Sequence, residues 1–175
     1  MSLQDCCTVT LAAIAACTDV VYGKVYNATT YPAILVGFAL ALFVGSPKLS
    51  DCAYGAIVTF IVYYALHRWC GLGAGDVKLM TGVGAIKGLA FVAFASFYIM
   101  LFASIGGLIF LVARGRLLGS LKWVFLTIAA VVIPGVRRPA LPTGRTGVPF
   151  APFVLIGIAY SLFLESAYGK FTLSG

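Results

Sequence analysis

The sequence predicts an all-α polytopic membrane protein with six transmembrane helices and one interfacial helix, and three observations predict it. The chain of 175 residues is 62% hydrophobic and only 10% charged, where an ordinary soluble domain carries roughly a quarter of charged residues. Its mean hydropathy is +1.06, so almost no stretch is polar enough to remain solvated or disordered. Apolar runs recur along the whole chain with short connections between them, several close to the roughly 20 residues that cross a hydrocarbon core. That leaves room for a single membrane-embedded domain over residues 1–175 and for no extramembrane one. The net charge of +7 comes from 12 Lys and Arg set singly or in small groups between apolar runs. Such placement suits loops that fix topology against a lipid bilayer, and no nucleic acid is expected as a partner.

The elements follow in order. Residues 6–22 form the first apolar run, which stops at Gly23-Lys24, a glycine and a cation that suit a helix C-terminus. The preceding Met-Ser-Leu-Gln-Asp has no basic region and no small-residue cleavage site, so this run reads as a retained span. The second span follows Thr29-Thr30, carries Pro32 in its first turn and continues to Gly45. The third extends from Asp51 to Trp69, with His67-Arg68-Trp69 as an interfacial anchor. Gly71-Leu72-Gly73-Ala74-Gly75-Asp76 then precedes a short helical run to about Ile86, roughly half a bilayer at about 1.5 Å per residue. Non-helical backbone at membrane depth survives only where protein buries it or water reaches it, which describes a cavity. Residues 89–113 form the fifth span and residues 148–164 the sixth.

Residues 118–133 are apolar but short, with Lys122 in their early turns. If they lie in the interface, nine cations (Lys24, Arg68, Lys78, Arg114, Arg116, Lys122, Arg137, Arg138, Arg145) fall inside and three (Lys48, Lys87, Lys170) outside. If they cross, the three late arginines move out, Lys170 moves in, and nine against three becomes seven against five. The positive-inside rule favours six spans and an interfacial segment.

Five acidic residues occur, and Asp19 and Asp76 stand at the ends of apolar runs. A carboxylate at a helix centre costs about 2.5–3.5 kcal/mol on insertion scales. The hairpin of the second and third spans returns the chain to its starting face, which puts Asp19 and Asp76 on the same side. Two carboxylates meeting in a low-dielectric cavity share a proton, one serving as acid and the other as base, the equipment of aspartyl proteolysis. The alternative is that Asp19 pairs with a lysine and Asp76 only begins a helix. Gly73 and Gly75 would clear a path for an extended substrate strand, or would merely let helices pack closely, since Gly71 with Gly75 and Gly84 with Gly88 form G-x-x-x-G pairs. Lys78 orients substrate or snorkels to the interface. His67, the one histidine, has no carboxylate near it in sequence and is not expected to act in catalysis. The five cysteines show no C-x-x-C or zinc spacing, so no metal and no cofactor is expected.

At Gly73-Ala74-Gly75-Asp76-Val77-Lys78 the chain resembles the GxGDxK signature of the type IV prepilin peptidases, membrane-embedded GxGD aspartyl proteases. The order of further pieces resembles that family too: Asp19 followed by Val25-Tyr26-Asn27 where the family has Ile-Pro-Asn, Val83-Gly84-Ala85 with Gly88, and Val148-Pro149-Phe150-Ala151-Pro152-Phe153 entering the last span. Tyr26 stands where the family usually has proline. Only residues 23–30 separate the first two spans, so the cytoplasmic methyltransferase segment of the longer members has no counterpart. The resemblance therefore implies the short, peptidase-only form. It implies Asp19 and Asp76 as catalytic residues, with Gly73, Gly75, Lys78, Asn27 and Pro149 as binding or supporting residues. It also implies a prepilin or pseudopilin precursor as partner and an active site at the cytoplasmic face of the cell membrane. Two competitors stand beside it. One is a presenilin or signal-peptide-peptidase type of GxGD protease, whose Pro-Ala-Leu is matched by Pro139-Ala140-Leu141 only within the basic loop. The other is a carboxylate-based ion carrier.

Overall fold

The computed structural model describes residues 2–45, 47–113, 115, 119, 126 and 150–169. Among them the fold is all-helical, and five helices are long and apolar enough to cross a membrane: α1 (Leu3–Tyr22), α2 (Asn27–Val44), α3 (Leu49–Cys70), α4 (Ala74–Ala113) and α5 (Ala151–Tyr168). Residues 118–133, expected in the interface, lie almost wholly outside the described residues. The chain divides into two compact units, one of residues 1–103 with 149–175 and one of residues 104–148. In the second unit, the described residues are chiefly the end of α4.

Helix α1 starts three residues before the first apolar run because Ser2 and Asp5 form a capping box. The Ser2 hydroxyl accepts from the Asp5 amide at 3.2 Å and the Asp5 carboxylate accepts from the Ser2 amide at 2.5 Å. It ends at Gly23, whose φ of 63° is the left-handed value that closes a helix. Helix α2 begins at Asn27 and keeps Pro32 inside its early turns. Helix α4 begins at Ala74, earlier than expected, so only residues 71–73 are non-helical and Asp76 lies in the first turn.

The expected break between the fourth and fifth spans takes the form of a single residue. Gly88, at φ 81° and ψ 178°, joins two helical limbs of α4, and those angles are essentially restricted to glycine. Partners on α3 show what the joint does. Gly84 packs on Gly55, Gly88 on Asp51, and Ser96 bonds Tyr63 at 3.1 Å. The contacts move toward the start of α3 and then back along it, so the chain reverses at Gly88. The first limb, residues 74–87, is roughly 21 Å long at about 1.5 Å per residue.

In the first unit, residues of α1, α3, the two limbs of α4 and α5 meet in one core that includes Leu11, Ala15, Tyr63, Met80, Ile86, Ile99 and Ile158. Small residues set the spacing. A Cβ on Gly84 would stand 2.6 Å from the Gly55 carbonyl oxygen, and one on Gly37 would stand 2.7 Å from that of Ala85. Large side chains on the outer faces, among them Leu35, Phe43, Ile61 and Phe163, stay exposed, as a bilayer solvent allows.

At one end of this unit Lys87 bridges Asp5 at 2.7 Å and Glu165 at 2.8 Å, tying α1, α4 and α5 together with little exposure. At the other end lie the close of α1 and the starts of α2, α4 and α5. Asp5 and Asp19 belong to the same helix, and about 1.5 Å per residue separates them by roughly 21 Å. The two ends of the unit are thus chemically distinct.

Candidate active site

Asp19 sits in the last turn of α1, half-buried. Asp76 sits in the first turn of α4 and is buried. The fold brings these carboxylates within electrostatic reach of each other, although two whole helices, α2 and α3, intervene in sequence. Asp19 Oδ2 accepts a hydrogen bond from the backbone N–H of Ala151 at 3.1 Å. That amide is the first of α5 and has no carbonyl of its own helix to bond, so the start of α5 supplies a donor to the site.

Asp76 is held from its own side. Its amide donates to the Gly73 carbonyl at 3.1 Å, and the Val77 amide reaches the same oxygen at 3.4 Å. The carboxylate folds back over the glycine, for a Cβ on Gly73 would lie 2.7 Å from Asp76 Oδ2. The buried Tyr63 ring on α3 also lies within electrostatic reach of Asp76, and its hydroxyl donates to Ser96. Tyr63 further lines a cavity of about 480 Å³ between α3 and the second limb of α4, with Val62, Leu66, Val92 and Phe97 among its otherwise mostly apolar walls.

The two alternate glycines have different neighbours. Gly73 faces the carboxylate, whereas a Cβ on Gly75 would meet the Val25 Cβ at 2.8 Å and the Val25 carbonyl at 3.2 Å. The space beside Gly75, expected to admit a substrate strand, is filled by the α1–α2 connection. Lys78 and Asn27, each singled out in the sequence but never paired there, are joined: the lysine Nζ donates to Asn27 Oδ1 at 2.8 Å and lies 5.3 Å from the centre of the Tyr31 ring. Pro149 lies outside the described residues.

Two groups at this end were not foreseen from the sequence. One is the Ala151 amide, whose only signal was that a helix begins directly after a proline-aromatic entry. The other is His67, whose Nδ1 hydrogen-bonds the Leu72 carbonyl in the connection leading to Asp76. Among the described residues no group of three or more His, Cys, Asp or Glu gathers as a metal site would require. Chemically, the cluster offers two adjacent carboxylates, one buried and one holding a backbone donor, at the end of a membrane-embedded bundle.

Comparison with curated proteins and with solved structures gave no match. The model of the type IV leader peptidase family, by contrast, matches residues 6–137, a stretch that contains both carboxylates, most of α1 and the whole of α4. That match spans well over half of the sequence, and the chain belongs to the type IV leader peptidase family, a family of peptidases.

Proposed function

We propose that this protein is an aspartic endopeptidase that removes the short basic leader from prepilin-like or pseudopilin precursors at the cytoplasmic face of the membrane. The observation that carries the reading is that Asp19 and Asp76, two carboxylates on different helices, lie at one end of the bundle within electrostatic reach of each other. The family implies a protein substrate; the resemblance at residues 73–78 supplies its kind, a leader ending in glycine ahead of an apolar helix. Such a helix stays in the bilayer, and its leader junction then lies at interface depth, where the helix ends carrying the two carboxylates would also lie.

In this mechanism one carboxylate takes a proton from a water that attacks the scissile carbonyl carbon. The other, carrying the shared proton, polarises the carbonyl oxygen and then protonates the departing amine as the C–N bond breaks. The pair acts as a unit, and neither role belongs to one residue. The Ala151 N–H holds Asp19 in place, and Lys78 with Asn27 ties the start of α2 to the start of α4. Six spans accompany the reading: α1, α2, α3, the two limbs of α4 and α5, with both carboxylates inside.

The test is cleavage of a precursor by purified protein in liposomes. Asp19→Asn and Asp76→Asn should each lower turnover by at least about 10²-fold, the low end of what a positioned acid or base contributes, while both variants still insert and accumulate. Near-normal turnover by either one overturns the two-carboxylate mechanism. Ion flux through the wild-type protein without any cleavage would make it a carrier.

A further inference from the structure

The connection of residues 71–73 carries more than its length suggests. Helices α1, α2 and α5 each close with a backbone bond from the glycine that follows them, Gly23, Gly45 and Gly169, to the carbonyl four residues back, at 2.8, 3.2 and 3.0 Å. Helix α3 ends in Gly71 at φ 76°, but among the described residues Gly71 makes no such backbone bond. The side chain of His67, on the last turn of α3, instead reaches forward and bonds the Leu72 carbonyl through Nδ1. The Leu72 side chain is meanwhile packed against the core. Leu72 is therefore fixed at two points, and the residue after it is Gly73, whose carbonyl receives the Asp76 amide and whose α-carbon abuts the Asp76 carboxylate.

From this chain of contacts we infer that His67 is a positioning residue, which holds the 71–73 connection so that Asp76 meets Asp19 in the geometry the reaction needs. The inference rests on the proposed function, because it gives that carboxylate pair its alignment. The carbonyl of Leu72 can only accept, so Nδ1 carries the proton. The imidazole does not exchange protons with substrate. It acts through the backbone, across Leu72 and Gly73.

Three substitutions separate this role from simple packing. Asparagine carries an N–H₂ at the same reach from Cβ as Nδ1, so His67→Asn keeps the donor. Phenylalanine keeps the ring without the donor, and aspartate presents only acceptors to the carbonyl. Displacements on the order of 1 Å at a reacting group cost up to about 10²-fold in rate. In the liposome assay, His67→Phe and His67→Asp should lower kcat by about ten- to a hundredfold with KM for the precursor little changed, and His67→Asn should stay within about threefold of wild type. Deuterium exchange supplies a readout independent of activity: the amides of Asp76 and Val77 should exchange faster in His67→Phe than in wild type, and at the wild-type rate in His67→Asn. If His67→Phe accumulates poorly, His67→Asp against His67→Asn makes the same comparison. Wild-type protein that cuts no leader overturns the proposed function. Wild-type protein that cuts, with His67→Phe or His67→Asp equal to it in kcat or His67→Asn as impaired as they are, overturns the role of His67 alone.

Discussion

Gly73 and Gly75 stand two residues apart and are small for different reasons. The first leaves room for the carboxylate that follows it, and the second leaves room for Val25. A methyl group at Gly73 must push Asp76 Oδ2 from its place, because 2.7 Å is closer than carbon and oxygen approach without a bond. Gly73→Ala should therefore cut kcat by about tenfold or more at nearly unchanged thermal stability, since a shift of a reacting group on the order of 1 Å costs that much. Gly75→Ala collides with a side-chain branch point and a backbone carbonyl of the α1–α2 connection. Its effect should fall first on the thermal midpoint in detergent, with a penalty of about 1–3 kcal/mol for overpacking. The reverse assignment, an active but unstable Gly73→Ala and a stable but inactive Gly75→Ala, would show that the substrate approaches beside Gly75.

At the scale of the element, α4 shows how a glycine pattern is divided between packing and turning. Of the pair Gly84 and Gly88, Gly84 allows α3 and α4 to touch through their backbones, while Gly88 adopts the positive φ that reverses the chain. A Cβ on Gly82, on the same limb as Gly84, would stand 3.2 Å from the Leu11 Cδ2, the far end of a flexible side chain. Gly84→Ala should accordingly cost about 1–3 kcal/mol, measured as loss of thermal stability in detergent, because Gly55 offers only backbone to move. Gly82→Ala should cost less than about 1 kcal/mol, since Leu11 can adjust its rotamer. Equal penalties at the two positions would mean that the α3–α4 contact is looser than its geometry.

For the molecule as a whole, the Lys87 triad and the carboxylate pair mark opposite ends of the first unit. Lys87→Met leaves Asp5 and Glu165 facing each other in a poorly solvated site, and removing one partner of a buried ion pair is worth about 3–5 kcal/mol. Thermal unfolding should show that loss, and the triple variant Lys87→Met, Asp5→Asn, Glu165→Gln should recover part of it. The same two ends predict sidedness. In a background without the native cysteines, Lys48→Cys should react with an impermeant thiol reagent on intact cells, and Lys24→Cys only after permeabilisation. The opposite pattern would turn the protein over and put the carboxylates outside.

Membrane residence, helical class and the two carboxylates were legible in the sequence, because bilayer insertion is a property of local composition and a charged residue in an apolar run stands out without any partner. The family resemblance at residues 73–78 was legible for the same reason: the motif is contiguous. Helix starts were read less well where a cap and not an apolar residue sets them, as Ser2 and Asp5 do for α1. What only the tertiary structure decided are pairings between residues far apart in the chain: the Ala151 amide on Asp19, Lys78 on Asn27, Lys87 between Asp5 and Glu165, and Val25 against Gly75. The reversal at Gly88 belongs with them, since a glycine permits that backbone but the packing of both limbs on α3 selects it. Periodicity and composition report how each segment meets its solvent, and distances between segments arise only when the helices pack.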